Sequence, residues 1–467
     1  MTESSADANS PDTIEMTLTD LAYGGEALGR HEGLVVFVPN GAPGDRIRGR
    51  IRVRKPRFAR ADIGDMLEPS PDRITPVCPV AEECGGCTWQ HLTYAAQLKA
   101  KEHFVRGSLH HVGRFRHATI RPILGAPSLF GYRHKLQIPI QDCGEGLVAG
   151  FYAPFSHRLV PITECPVQPA IGNRVLRAFL ETARELGLSG YREADHVGQI
   201  RHLVIRVSRT TREVVAAVVT RENAFPEGGE LAAAWQRRVP ELVGVLQNVN
   251  PERTNVVLGP VWNVLSGQGT LRETIGDVTF RVSAESFFQV HPDQLPALVE
   301  IVREAVRPGP GTVVADLYSG VGLFSLPMAR QGARLIGVES SAAAVADARA
   351  NARDTGLDHV EFRQEDAAAG AERLQRAGFR PDAVILDPPR KGCPPALIET
   401  LRSWAPGRIA YVSCNPTALA RDLAKLCRKT YRLAWVRPVD LFPHTYHVES
   451  VAALVRRDAA GAARKGG

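Results

Sequence analysis

Val313-Val-Ala-Asp316-Leu-Tyr-Ser-Gly320-Val-Gly322 passes from an apolar run into a glycine turn. The run reads as a buried strand, Val313 to Leu317, and the turn as a cofactor loop that opens a helix; its glycines permit a tight turn and close approach of a ligand. Further strands follow at Arg334 to Glu339, Val360 to Arg363, Ala383 to Asp387 and Ile409 to Ser413, with alanine-rich helices between them such as Ala342 to Arg353. Strict strand–helix alternation implies a doubly wound parallel sheet. In such sheets ligands bind at the carboxyl ends of the strands. The fifth strand ends in Ser413-Cys414-Asn415-Pro416, so a thiol is expected beside the cofactor turn. Thiol catalysis and sulfur redox chemistry both call for that arrangement. A helix is expected from Thr417 onward, and its N-terminus is expected to lower the thiol pKa.

The chain has 467 residues, enough for several cores. Its 44% hydrophobic and 23% charged residues match a soluble globular protein. No apolar run reaches membrane-spanning length, and the start, Met-Thr-Glu-Ser-Ser-Ala-Asp-Ala, lacks a signal peptide's basic and apolar segments. The reading is therefore cytoplasmic, with no membrane partner, a short disordered leader and a small-residue tail from Ala459 to Gly467.

A net charge of +7 is a weak pointer to nucleic acid, and its distribution says more. Arg46, Arg48, Arg50, Arg52 and Arg54 alternate with Ile47, Gly49, Ile51 and Val53. On a strand this gives one cationic face and one core face. Lys55, Arg57 and Arg60 extend the charge. A solvated face is the plainer alternative; phosphate binding is favoured because a row of like charges repels unless a polyanion covers it. Short strands with glycine turns place this segment in an OB-like barrel over 14–68. Residues 69–290 form a mixed α+β region with a helical stretch, Tyr94 to Val112, and strands near His202 and Val214. Residues 291–457 hold the doubly wound domain.

Cys78-x5-Cys84-x2-Cys87, with Cys165 far downstream, marks a metal site, because reducing cytosol disfavours a disulfide framework. Thiolates alone fit either zinc or iron–sulfur. Cys143, Cys393 and Cys427 read as structural. Polar residues close successive strands: Glu339 where an acid bonds ribose hydroxyls, Asp366 near the adenine, and Asp387-Pro-Pro-Arg390 at the fourth strand. With the Asp316 loop these make four such ends, which are hard to explain by packing. Phe442-Pro-His-Thr-Tyr-His-Val-Glu449 adds a late carboxylate, for which a strand-capping role is the plainer reading.

Asp20-Leu-Ala-Tyr-Gly-Gly-Glu-Ala-Leu-Gly-Arg with Val-Phe-Val-Pro-Asn-Gly-Ala-Pro-Gly-Asp resembles a TRAM domain, an RNA-binding barrel. Glu285-Ser-Phe287-Phe-Gln289-Val, the Asp316 loop, Leu386-Asp387-Pro-Pro-Arg-Lys-Gly, Ser413-Cys414-Asn-Pro and Phe-Pro-His-Thr-x-His-Val-Glu449 resemble the RNA 5-methyluridine methyltransferases. That resemblance implies a class I S-adenosylmethionine-dependent fold ending in an antiparallel hairpin, and Cys84-Gly-Gly-Cys-Thr-Trp-Gln-His-Leu resembles the family's 4Fe–4S site. It implies Cys414 as nucleophile on uracil carbon 6 and Glu449 as base. It implies Phe287, Gln289 and Asp387 on the uracil, and Gln289, Tyr318, Gly320, Glu339, Asp366 and Asp387 around the cofactor. Cys78, Cys84, Cys87 and Cys165 would hold the cluster. A barrel together with a cluster resembles the 23S ribosomal RNA branch; tRNA is the alternative substrate, and the chain reads as a monomer. His291 and Ser319 stand where the family usually has Asn and often has Cys. Two rivals are an RNA-binding assembly factor with a vestigial site, disfavoured by the intact Cys414, Glu449 and Asp387, and a radical sulfur-inserting enzyme, disfavoured by the missing C-x3-C-x2-C.

Overall fold

The computed structural model describes residues 13–142, 144, 146–357 and 359–457. Internal packing divides them into two units. The expected leader, the tail and Cys143 lie outside the described residues.

The first unit holds residues 13–104, 152–160 and 442–446. Strands β1 (Thr13–Leu21), β2 (Ala27–His31), β3 (Leu34–Val38), β4 (Arg46–Arg54) and β5 (Phe58–Glu68) close a barrel in the order β1-β2-β3-β5-β4. Alternation in β1 turns Ile14, Met16 and Leu18 inward, against Val36, Val38, Ile47, Ala59 and Ala61. Asp45 is fully buried and accepts from the Ala42 and Ser70 amides and from Arg73, so this charge is paired as well as hydrogen-bonded.

The arginine strand forms, but its alternation breaks. Bulges in the β4–β5 ladder, one between Ile51 and Val53, leave Val53 exposed rather than in the core. Its face is also not wholly cationic. Arg46 pairs with Glu68 and Glu15, Arg48 with Glu15 and Asp65, and Arg52 with Asp62. Carboxylates from the flanking strands therefore relieve the repulsion that had seemed to require a polyanion. Arg50, Arg54, Lys55 and Arg57 make no ion pair among the described residues.

Helix α1 (Tyr94–His111) leads toward the second unit, residues 105–151, 161–441 and 447–457. Its first part contains β6 (Lys135–Asp142), β7 (Leu147–Tyr152), α2 (Ala170–Glu185), β9 (Ile200–Val207), β10 (Val214–Thr220), α3 (Gly228–Arg238), β11 (Leu242–Val249) and β12 (Val261–Gly267), whereas β8 (Leu159–Pro161) lies largely in the first unit. The strands of this unit form a mixed sheet ordered β12-β11-β10-β9-β6-β7. Helices α2 and α3 meet through Phe179 and Trp235, whose indole donates to the Val175 carbonyl. A hairpin, β13 (Thr270–Ile275) and β14 (Val278–Ser283), follows.

The remainder alternates as expected: α4 (Leu295–Val306), β15 (Val313–Asp316), α5 (Ser325–Arg330), β16 (Arg334–Glu339), α6 (Ala342–Asp354), β17 (Glu361–Gln364), α7 (Ala367–Arg376), β18 (Ala383–Leu386), α8 (Pro395–Trp404), β19 (Arg408–Ser413), α9 (Pro416–Leu426), β20 (Tyr431–Val439) and β21 (Glu449–Arg456). The sheet order is β17-β16-β15-β18-β19-β21-β20, with β21 antiparallel to both of its neighbours. The order reverses at β15, so a crevice opens between the ends of β15 and β18. Val384, Leu386, Ile409 and Tyr411 anchor the core beneath it. Among the described residues no helix is long and apolar enough to cross a membrane.

Candidate active site

Register brings the two expected catalytic residues together. Ser413 of β19 pairs with Ser450 of β21 in antiparallel sense, so Cys414, one residue on, and Glu449, one residue back, are neighbours. Strand β18 runs parallel to β19 on its other side and delivers Asp387 to the same end. Glu449 is fully buried, and burial followed by the charge of Asp387 raises its carboxyl well above the usual range. Burial also lifts Asp387 to about 6, opposed by the amide of Gln289, which donates to it at 3.1 Å.

Cys414 departs from the expectation of a lowered pKa. Burial first, then Glu449 and Asp387, push its thiol up to about 12, while Arg390 acts in the opposite direction. The helix terminus gives little relief for a visible reason. Pro416 has no amide hydrogen, and the Asn415 side chain accepts from the next two amides, Thr417 at 3.0 Å and Ala418 at 3.2 Å. The first-turn donors are occupied by the cap.

Phe287 and Gln289 lie on the segment between β14 and α4. Gln289 is buried, whereas Phe287 is 66% exposed, an aromatic ring presented to solvent. Asp347 of α6 accepts from the Ser283 amide and from the Ser283 and Ser286 hydroxyls. Arg206 of β9 donates to the Ser286 carbonyl, and Lys135 of β6 to that of Ala284 at 3.2 Å. Burial, then Arg206, brings Lys135 down to about 7. His291 is buried, stacks on Tyr132 at 4.7 Å and bonds the Ser128 carbonyl, which makes it a packing residue.

In the cofactor loop Gly320 and Gly322 have φ of 53° and 93°, left-handed values that favour glycine. A Cβ on Gly320 would meet nothing within 4 Å, so open space lies beside the loop for a ligand. Glu339 accepts from the Gly320 amide at 3.1 Å and the Ser341 amide at 2.7 Å. Asp316 is fully buried and lifted to about 7, by burial and then by Asp387 and Glu339 despite the Ser325 hydroxyl. Asp366 caps α7 through the Ala368 and Ala369 amides. Tyr318 packs partly buried against the core near Cys393. Cys393 and Cys427 are buried.

Cys78, Cys84 and Cys87 share one loop of the first unit, where the Gly86 amide points at the Cys84 sulfur at 3.4 Å. Burial raises the Cys84 pKa, with Cys78 adding to it. Cys165 belongs to the second unit, where its amide donates to Asn173. Among the described residues no group of three or more His, Cys, Asp or Glu side chains is gathered as a metal centre. The donors are thiols of the right kind, and an amide aimed at sulfur suits a thiolate ligand.

Asp347, Asn351, Arg206 and Lys135 escaped the sequence reading, and Arg390 was named there only as part of its motif. A signal existed for two of them: Asp347 and Asn351 are four residues apart on a helix, so they share a face, and that face is buried.

The sheet order and the glycine loop define a class I S-adenosylmethionine-dependent methyltransferase. The tRNA (uracil-5-)-methyltransferase family pattern matches residues 268–457, and the TRAM domain pattern matches 12–63. An RNA methyltransferase of Halalkalibacterium halodurans is 39% identical over 97% of this chain and 99% of its own. One from Nostoc sp. is 39% identical over 95% of this chain and 96% of its own. The crystal structure of Pyrococcus abyssi tRNA (uracil-54, C5)-methyltransferase with S-adenosyl-L-homocysteine superposes with a TM-score of 0.74 and 28% identity, covering 95% of this chain and all of that one. The chain belongs to the RNA uracil-5-methyltransferase family. It is an S-adenosylmethionine-dependent enzyme carrying an N-terminal TRAM barrel.

The raised thiol pKa predicts slow alkylation of Cys414 by iodoacetamide in the ligand-free enzyme at neutral pH, accelerating as pH rises toward 12. Peptide mass spectrometry follows this one cysteine. Glu449→Gln removes one of the carboxylates that hold the thiol up, so alkylation at pH 9 should be faster. An unchanged rate would show that Cys414 does not sense that charge.

Proposed function

We propose that the enzyme methylates carbon 5 of a uridine in RNA through a covalent bond between Cys414 and carbon 6. The observation that carries this reading is the meeting of Cys414, Glu449 and Asp387 at adjacent strand ends. Carbon 5 of uracil is a poor nucleophile. The Cys414 thiolate adds to carbon 6, and the ring electrons move onto the carbon 4 oxygen, giving an enolate nucleophilic at carbon 5. Arg390 favours that thiolate, opposing the two acids. Bound S-adenosylmethionine supplies an electrophilic methyl group. After carbon 5 has taken the methyl, Glu449 removes its remaining proton, the sulfur–carbon 6 bond breaks, the ring double bond returns and the thiolate is freed. The environment that raises the Glu449 pKa makes its carboxylate a stronger base. Asp387 and Gln289 hold the polar edge of the uracil, and Phe287 stacks on the flipped base. Tyr318, Gly320, Glu339, Asp366, Gln289 and Asp387 surround the cofactor, Glu339 at the ribose and Asp366 near the adenine.

Functionally we divide the chain into an RNA-binding barrel (14–68), a central domain (69–290) and the methyltransferase domain (291–457), working as a cytoplasmic monomer. Cys78, Cys84, Cys87 and Cys165 are proposed as ligands of a 4Fe–4S cluster that stabilises the central region and shapes an RNA surface. The substrate we propose is 23S ribosomal RNA, from the pairing of barrel and cysteine cluster. One observation favours a second reading, tRNA: the Pyrococcus abyssi tRNA enzyme aligns with 95% of this chain, a span too long to leave out the barrel.

Four experiments test these statements. With 5-fluorouridine RNA the wild type should form a denaturation-resistant adduct and Cys414→Ala none, with cofactor affinity within a few-fold. Glu449→Gln should accumulate the methylated covalent species; normal turnover would place the base elsewhere. Anaerobically purified protein should contain iron and sulfide, with a broad visible band lost on oxidation, whereas stoichiometric zinc without iron would overturn the cluster. Nucleoside mapping of a deletion strain should show 5-methyluridine missing from 23S RNA, and its loss from tRNA instead would establish the second reading.

A further inference from the structure

Phe155 is 88% exposed, the most exposed large apolar side chain among the described residues. A single exposed apolar residue needs no explanation by itself. This one is specially presented. It stands at the tip of a tight loop closed by the Ala153 amide on the Arg158 carbonyl at 2.9 Å and the Ser156 amide on the Ala153 carbonyl at 3.2 Å. Its φ of 57° is left-handed, a conformation uncommon for a bulky aromatic. The Arg60 guanidinium lies over the ring, 5.6 Å from its centroid, and also bonds Glu26 at 3.2 Å.

The surroundings state what such a ring would meet. Arg60 lies opposite Val53 in the β4–β5 ladder, and Val53 is 41% exposed. The same end of the ladder carries Arg54, Lys55 and Arg57, all exposed and without an ion pair among the described residues. Of the other arginines of β4, Arg46, Arg48 and Arg52 are paired with carboxylates and Arg50 alone makes no ion pair among the described residues, so unpaired cationic surface concentrates at this end together with Phe155. An aromatic platform next to cations that can track a phosphate backbone is how proteins hold single-stranded nucleic acid. All of these residues belong to one packed unit.

We propose that Phe155 is a base-stacking site for an unpaired nucleotide of the RNA substrate, separate in role from Phe287. The base lies on the Phe155 ring, and the adjoining phosphates rest on Arg54, Lys55 and Arg57. The inference rests on RNA being the substrate and assigns a second contact with it, one that is sequence-tolerant because every base has a π-face. Arg60 lies over one face of the ring, and the base takes the other.

The test compares two probes on the full chain by fluorescence anisotropy: an oligouridylate, and an abasic ribose-phosphate chain of equal length. Phe155→Ala should weaken oligouridylate binding roughly tenfold and leave the abasic chain unchanged. Phe155→Trp should restore the loss. Salt dependence should be unaltered by Phe155→Ala, whereas Lys55→Ala and Arg57→Ala should each lower the log–log slope by about 0.7. S-adenosylmethionine affinity should stay constant throughout. If Phe155→Ala binds both probes like wild type, or loses both equally, stacking is refuted while the methyltransferase reading stands. If the wild type binds neither probe, RNA recognition by the barrel fails, and this site with it.

Discussion

The antiparallel register of β19 against β21 is the constraint on which the catalytic site depends. In a wholly parallel sheet the fifth strand's end would meet another strand's end carrying its own loop. Turning the last strand around brings in a strand start instead, and Glu449 is the first residue of β21. Two residues 35 positions apart therefore become neighbours through one ladder. A slip of one residue would turn every β21 side chain to the opposite face of the sheet. The core guards against that slip: Val451, Ala452, Ala453 and Leu454 are all buried, on both faces of the strand.

That register crowds acids into an apolar place. Asp316 and Glu449 are buried and Asp387 is half-buried, each with a carboxyl raised first by loss of water and then by a neighbouring acid. The Cys414 thiol experiences the same two effects. A fold optimised only for stability would not cluster groups that cannot all ionise together. Such arrangements recur where proton transfer or polar recognition is needed, which fits the proposed nucleophile, base and uracil contact. Arg390 is the counterweight, and it comes from the Asp387-Pro-Pro-Arg390 turn itself, so one motif supplies both a charge that resists the thiolate and one that favours it.

The sequence was most legible where period and punctuation coincide. Strand 334–339 was placed to the residue, and the polar tips at Glu339 and Asp387 fall at strand ends, because apolar runs and terminal acids are local signals. It was least legible where the decisive partner is distant in the chain. The arginine row announces positive charge, but Glu15, Asp62, Asp65 and Glu68 reach it only after barrel closure. The thiol pKa failed for a different reason: Asn415 and Pro416 were in plain view, yet their effect as a cap on the first-turn donors was not weighed against helix polarity. The domain assignments and the roles given to individual site residues rest on resemblance and on placement at strand ends.

Helix α6 joins the glycine loop to the segment that carries Phe287. Asn351 donates to the Val321 carbonyl inside the glycine loop and to the Arg281 carbonyl of β14, while accepting from the Arg281 amide. One turn earlier Asp347 fixes Ser283 and Ser286, at the root of the segment that presents Phe287. Glu339, just before α6, holds Gly320. The loop that would receive the methyl donor and the segment that would receive the uracil are thus bolted to one rigid element by buried polar bonds, each expensive to leave unmade. Methyl transfer needs donor and acceptor aligned to within a few tenths of an ångström. A single helix gripping both supports is a direct way for this fold to hold that alignment.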